Sequence, residues 1–472
     1  MDFDELPTTA PDKEPRTKWD HIELWLSERF PTRMNEVTMK PEYQNEKGKW
    51  RSISDYWRNS ILRMLRDETY DTGQVDENGK KIIKSMATTK AKLDEIINSD
   101  FSPTVDVFKE YFENLPEAHG HAAINRLAES VTIKDPDTEA DDVLKPSELW
   151  PEYLRMWLVA CVANFFNDEE CENQTMLILI GKQNDGKTTW LNNLVPKALN
   201  PTYRFCSGLQ DPRGKDAMTL LVSMFLVNID DQLGSITKKD ADGIKNLITM
   251  PKVTIRLPYD KYTNDHPHRA SLCGSLNYTG FLTDPTGNRR YLPFELDSIE
   301  WKYLDPSNKK QYVDIDQVWA EAYALWKAKA PYKFANEQLK QLEEHNRSFM
   351  APSTEADLIV KYLIKPVKWG VDAGNCLMTT TDIQTYLTEC AGNGLKRPIN
   401  PWTLKRELDR HGFMQKQRTY NGQARVRVYS VIQTNNHTAT HGEMSYSEKQ
   451  QVAHSQNGEE QVQMPIGEKP PF

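Results

Sequence analysis

Met176-Leu177-Ile178-Leu179-Ile180-Gly181-Lys182-Gln183-Asn184-Asp185-Gly186-Lys187-Thr188-Thr189 runs from five apolar residues into a glycine-bounded loop and out into a helical pattern through Trp190 to Leu194. The apolar run reads as a buried strand. The loop matches G-x-x-x-x-G-K-[ST] at every fixed position, and strand–loop–helix is the context that gives this motif its meaning. Glycines let backbone N–H groups turn inward around a β-phosphate, and the following helix points its positive end at the anion. Gly181, Asn184, Asp185, Gly186, Lys187, Thr188 and Thr189 are therefore the expected nucleotide-binding residues. Lys187 neutralises β- and γ-phosphate charge, and Thr188 offers its hydroxyl to Mg²⁺. ATP and Mg²⁺ are the expected cofactors.

Such a loop needs a carboxylate opposite it. Leu226-Val227-Asn228-Ile229-Asp230-Asp231 is an apolar strand ending in two acids, about forty residues further on. Asp230 is the expected Mg²⁺ ligand, and Asp231 the residue that orients or deprotonates the attacking water. Ser275-Leu276-Asn277 ends another apolar run. Its amide can sense a γ-phosphate or water, or simply make a turn before Tyr278-Thr279-Gly280. Beyond it, Arg289 and Arg290 follow Gly287-Asn288. They form either a solvated loop or an arginine finger for a neighbouring subunit, Arg290 slightly preferred.

Further runs at 224–229, 253–257 and 272–276 alternate with helical segments, which predicts an α/β domain with a largely parallel, buried sheet. The chain has 472 residues, 38% of them apolar, with 12 Trp and 15 Phe. Mean hydropathy is −0.69. That is enough apolar content for cores in about three domains. No run reaches the roughly 18 apolar residues of a membrane helix. The acidic Met1-Asp2-Phe3-Asp4-Glu5 is neither a secretory signal nor a transit peptide, so a cytoplasmic location is expected. Six cysteines show no C-x-x-C pair and no metal spacing, and read as reduced, mostly buried thiols.

The organisation expected is a disordered 1–15, a mostly helical 16–148, a core at 149–350, a winged-helix-like unit at 355–433 and a disordered 434–472. The acidic stretch 135–142 marks the first internal boundary. Helices near 355–364, 380–390 and 401–410 precede two strand-like runs joined by Tyr420-Asn421-Gly422, a strong hairpin signal. From Cys376 to Gln433 there are nine Lys/Arg against four Asp/Glu, although the whole chain carries −9. Lys405, Arg406 and Arg410 on the third helix are the DNA-contact candidates there. A protein-binding or ring-stacking winged helix is the other reading.

Together GKQNDGKTT (181–189), GKDAMTLL (214–221), FLVNIDD (225–231), GIKNLIT (243–249), VTIRLPYDKY (253–262) and GSLNYTGFLTDPTGNRRYLP (274–293) resemble the virulence-associated protein E (VapE) family, helicase-like ATPases of phages and mobile elements related to superfamily 3 helicases. The resemblance extends upstream through RMNEVT (33–38) and YFENLP (111–116). It implies a P-loop, RecA/AAA+-like core working as a ring, with a hexamer expected and ATP sites between subunits. It also implies that a basic hairpin between the acid-ending strand and the Asn277 strand grips single-stranded DNA. Lys261 between tyrosines is the leading contact, with Tyr262, Arg256 and Lys245 beside it. Asp231 stands where many relatives carry Glu, which implies slow hydrolysis. No primase is evident in the first 140 residues, so priming would come from a separate protein. The reading is an ATP-dependent DNA helicase or translocase of a phage or mobile element. The alternatives are a DNA-binding ATPase switch that does not unwind, and a P-loop kinase.

Overall fold

The computed structural model describes residues 17–120, 122–136, 145–199, 205–208, 211–230, 238–257, 262–282, 287–351, 353–367, 369, 376–395 and 397–434. Asp231, Lys261, residues 1–15 and nearly all of 434–472 lie outside them. Two compact units divide between Met350 and Ala351.

The chain enters through α1 (Lys18–Arg29), started by a capping box: Thr17 accepts from the Asp20 N–H, and Asp20 accepts in return. Strands β1 (Thr32–Asn35), β2 (Lys40–Gln44) and β3 (Trp50–Ser52) follow, with Asn45 organising the β2–β3 turn. Helix α2 (Asp55–Asp67) buries Trp57, Ile61 and Leu65. Next come the hairpin β4 (Thr69–Val75) and β5 (Lys81–Ser85), helix α3 (Lys90–Ile97) and β6 (Thr104–Val105). The first sheet runs β3-β2-β1-β6. A small core of Ile22, Leu26, Trp57, Ile61, Leu93 and Ile97 holds this region together.

A mostly helical 16–148 is therefore too simple. Short polar strands such as 69–75 and 81–85 carry no apolar period, because the structure leaves them largely exposed and stabilises them by pairing. The boundary expected near residue 149 also falls inside a helix. α4 (Val107–Glu113), α5 (Ala123–Glu129) and β7 (Val131–Ile133) pack into the same core as the long α6 (Pro146–Phe166). An acidic linker composition says nothing about the strand pairing on either side of it.

The main sheet uses β8 (Met176–Ile180), β9 (Phe205–Ser207), β10 (Leu226–Asp230), β13 (Ser271–Leu276) and β14 (Tyr291–Ile299), all mutually parallel, in the order β14-β8-β13-β10-β9. β7 adds antiparallel to β14. Every residue of β8 and β13 is buried, as expected for strands covered on both faces. The intervening helices are α7 (Lys187–Asn193), α8 (Lys215–Ser223) and α9 (Lys238–Thr249). β11 (Lys252–Ile255) is not part of this sheet. It pairs antiparallel with β12 (Asn264–Pro267) as a separate two-stranded ribbon. Its buried–exposed alternation is that of a ribbon covered on one face only. α10 (Ile315–Lys327) and α11 (Asn336–Asn346) complete the unit.

Trp157, Trp190 and Trp319 are fully buried, each contributing on the order of 2–3 kcal/mol by area removed from water. Cys161, Cys171 and Cys273 are buried and the other three cysteines partly so. Burial pushes the Cys161 and Cys171 thiols up to about 12. Among the described residues no helix is long and apolar enough to cross a membrane, and no cluster of side chains suits a metal bound by His, Cys and acids alone.

The second unit contains α12 (Thr354–Tyr362), β15 (Leu363–Ile364), β16 (Cys376–Met378), α13 (Thr380–Ala391), α14 (Pro401–Arg410), β17 (Gln415–Tyr420) and β18 (Gln423–Gln433). β15, β16 and β17 all pair antiparallel with β18. The β17–β18 turn places Asn421 at φ 48° and Gly422 at φ 80°, the two left-handed residues of a type I′ turn.

Candidate functional site

β8, β13 and β10 are adjacent, and their registers bring Ile180, Leu276 and Asp230 to one end of the sheet. These are carboxyl ends of parallel strands, where open α/β sheets form ligand crevices. The loop after Ile180 starts under a bond from the Gly181 N–H to the Leu276 carbonyl, 3.1 Å. Asn184 at φ 69° and Gly186 at φ 83° alternate with neighbours of negative φ, a pattern that can turn backbone N–H groups into an anion-binding concavity. Gly181 has a steric reason as well. A Cβ there would meet the Asp185 carboxylate at 2.8 Å.

Lys187 is 6% exposed. Its Nζ donates to the Gly181 carbonyl at 3.0 Å, the Lys182 carbonyl at 2.6 Å and Asn277 Oδ1 at 3.0 Å. Asn277 is thus tied to the loop through the lysine itself. A second chain of contacts runs beside the first. The Thr188 hydroxyl lies 3.1 Å from Ser275 Oγ, and Ser275 Oγ donates to Asp230 Oδ1 at 2.5 Å. Ser207 Oγ donates to Asp230 Oδ2 at 3.3 Å, and the Asn228 amide donates to both serine hydroxyls, at 3.2 and 3.1 Å. The carboxylate is oriented from two strands.

α7 is held in place from behind. The Trp190 indole N–H donates to Ser130 Oγ at 2.9 Å, and the Trp319 N–H to the Leu194 carbonyl at 2.7 Å. Trp301, 40% exposed, lies over the loop: a Cβ built on Gly186 would sit 2.3 Å from its Cζ2. Ser275, Ser207, Asn228 and Trp301 were missed in the sequence. Ser275 had a signal, since a two-residue strand period puts it on the same side as Asn277. Trp301 had none, because its contact with Gly186 is tertiary.

The remaining candidates separate by place. Arg289 is exposed and Arg290 half-buried, in the turn before β14. Tyr291 pairs in register with Met176 and Glu295 with Ile180, so the arginines leave the sheet four strand positions away from the end that carries the Gly181 loop, roughly 13 Å at about 3.3 Å per residue. The Arg290 Nε is buried and finds no hydrogen-bond partner among the described residues. Asn346 fixes the turn by donating to the Asn288 and Tyr291 carbonyls. Arg256 and Tyr262 are exposed at the ends of the β11–β12 ribbon. Lys245 is different: its side chain is largely buried and lies 3.6 Å from Asp242. In the second unit Arg406 and Arg410 pair with the buried Glu407 at 3.2 and 3.5 Å, while Lys405 forms no ion pair among the described residues.

Fold and site define a mixed α/β protein whose parallel sheet gathers a lysine, a hydroxyl and a carboxylate at its carboxyl edge. Residues 135–351 match the virulence-associated protein E-like domain. Three solved structures of the NrS-1 C-terminal region are similar at 11% identity. They cover 90%, 89% and 89% of this chain and all of their own, with TM-scores of 0.44, 0.43 and 0.43. Those scores are too low to carry residue assignments. No curated protein matches the sequence.

Proposed function

We propose that this protein is an ATP-dependent DNA helicase or translocase acting in the replication of a phage or mobile genetic element. The observation that carries the reading is the convergence of Lys187 with Asn277, and of Thr188 with Asp230, at one edge of the sheet. The donor set fits ATP with Mg²⁺: a near-buried ammonium for phosphate oxygens, and a hydroxyl and a carboxylate as hard oxygen ligands. Bound ATP would supply the phosphoanhydride bond whose hydrolysis drives movement. In this reading Lys187 would bind phosphate oxygens, Thr188 and Asp230 would hold the metal, Asn277 would sense the terminal phosphate, and Asp231 would position water. Arg290 sits at the far end of the strands from its own loop, which suits completion of a neighbour's site in a ring. The β11–β12 ribbon, with Lys261 between its strands in sequence, is the proposed grip on single-stranded DNA. The replication role rests on the VapE-like domain.

The test is strand displacement on a forked duplex with ATP and Mg²⁺, run beside ATP turnover with and without single-stranded DNA. Unwinding that disappears in Lys187→Ala supports the motor. DNA-stimulated turnover without unwinding supports the switch instead. Turnover that survives Lys187→Ala, in a folded protein, overturns the site itself.

A further inference from the structure

A cavity of about 730 Å³ opens between the N-terminal sheet, α4 and the turn that follows α7. Its volume falls in the roughly 300–1,000 Å³ range of small-ligand sites. It belongs to neither the phosphate loop nor the β11–β12 ribbon.

Charge in this cavity divides into two kinds. Arg33 is buried and already neutralised, with Nε 2.9 Å from Glu42 and Nη1 2.7 Å from Glu110. Asp316, on the opposite wall, accepts the Tyr111 hydroxyl at 2.7 Å. Glu110 is paired with a cation, whereas Asp316 is hydrogen-bonded to a neutral hydroxyl and keeps its negative charge. Lys49 and Arg51 are exposed and form no ion pair with any described residue. Lys47, two residues earlier in the same hairpin, is exposed as well. Trp50, between these cations in sequence, is half-buried and also lines the cleft, with the paired Arg33 guanidinium 4.1 Å from its ring centroid. That contact sets the plane of the indole in advance. The lining is mixed: Val107, Leu115, Pro116 and Leu199 are apolar, and Lys49 and Arg51 add charge on the β3 side. Unneutralised cations beside a fixed aromatic ring are the chemistry of single-stranded nucleic acid, with phosphates on the cations and a base on the ring.

We propose that this cleft is a second binding site for single-stranded DNA, with backbone phosphates at Lys49 and Arg51 and a base against Trp50. The inference rests on the reading of the chain as an ATPase that acts on DNA. Lys197 and Leu199 on the cleft floor belong to the segment leaving α7, so a strand bound there touches the chain that carries the phosphate loop.

The experiment is fluorescence anisotropy of the full chain with a labelled oligothymidine, and with a duplex of equal length, over a range of salt. Lys49→Glu/Arg51→Glu should bind the single strand at least about tenfold more weakly. Its log–log salt slope should be shallower by about 1.4, near 0.7 for each phosphate no longer neutralised. Trp50→Phe should bind within a few-fold of the parent, and Trp50→Ala about tenfold more weakly. ATP turnover without DNA, and the melting temperature, should match the parent in the charge variant. A charge variant with parental affinity and parental salt slope would overturn the cleft and leave the DNA reading standing. A parent that binds no DNA at all would sink that reading and the cleft together.

Discussion

At the level of single residues, the site depends on a few short side chains that connect the loop to the acid. Ser275 is the central one, between the Thr188 hydroxyl and the Asp230 carboxylate. Outer-shell partners of a metal ligand typically tune affinity by about 10–100-fold. Ser275→Ala should therefore raise the Mg²⁺ concentration needed for half-maximal ATP turnover by that factor, with the fold retained by circular dichroism. Unchanged Mg²⁺ dependence would show that Asp230 needs no orientation from β13. Gly186 gives a second prediction. Its φ of 83° and the Trp301 indole both oppose a Cβ. Gly186→Ala should cost roughly 2–4 kcal/mol in denaturant unfolding, from left-handed strain plus overpacking. In a Trp301→Ala background the overpacking part disappears, and the cost should fall to about 1–2 kcal/mol. The glycine was legible in the motif. The tryptophan that explains half of its necessity was not, because 115 residues separate the two in sequence.

At the level of elements, one buried ion pair fastens the N-terminal region to the main sheet. Arg269, just before β13, holds Asp106 with Nε at 2.8 Å and Nη2 at 2.7 Å, and both side chains are 5% exposed. Asp106 is also the N-cap of α4. Arg269→Ala leaves a buried carboxylate without its partner and should cost about 3–5 kcal/mol of stability, read by urea titration. A change under about 1 kcal/mol would mean that water reaches Asp106. The pair was invisible in sequence, since an arginine 163 positions from an aspartate has no local signature. β11 shows the converse. Its apolar run read as one more parallel strand, yet alternate burial of Val253 and Ile255 carried the sign of a one-sided ribbon.

At the level of the whole molecule, two buried histidines give the fold a pH limit. His268 donates Nδ1–H to the Met250 carbonyl, and His345 donates Nε2–H to the Pro293 carbonyl. Burial holds both below the ordinary histidine value of 6.5. Their folded forms stay neutral where the unfolded chain takes up a proton, so stability falls as pH drops through 6.5, by up to about 1.4 kcal/mol per pH unit for each. Thermal melting should move down between pH 7.5 and 5.5, and His345→Gln should flatten that slope. Assembly gives the other prediction at this scale. If Arg290 completes a neighbour's site, Lys187→Ala and Arg290→Ala proteins, each inactive alone, should recover part of the ATP turnover when mixed. No recovery at any ratio would place the finger elsewhere.

What the sequence determined by itself is local. A loop of fixed spacing, an apolar strand before it and an Asn-Gly turn each follow from the conformational limits of a few consecutive residues. The positions of Lys187, Thr188, Asp230 and Asn277 were readable for that reason. Only the tertiary structure decided that β13 lies between β8 and β10, that β7 joins the sheet across an acidic linker, and that Lys49, Trp50 and Arg51 share a cleft with the turn that follows α7. Strand order and cleft walls arise from backbone pairing and packing between distant segments, and no short window of sequence contains both partners.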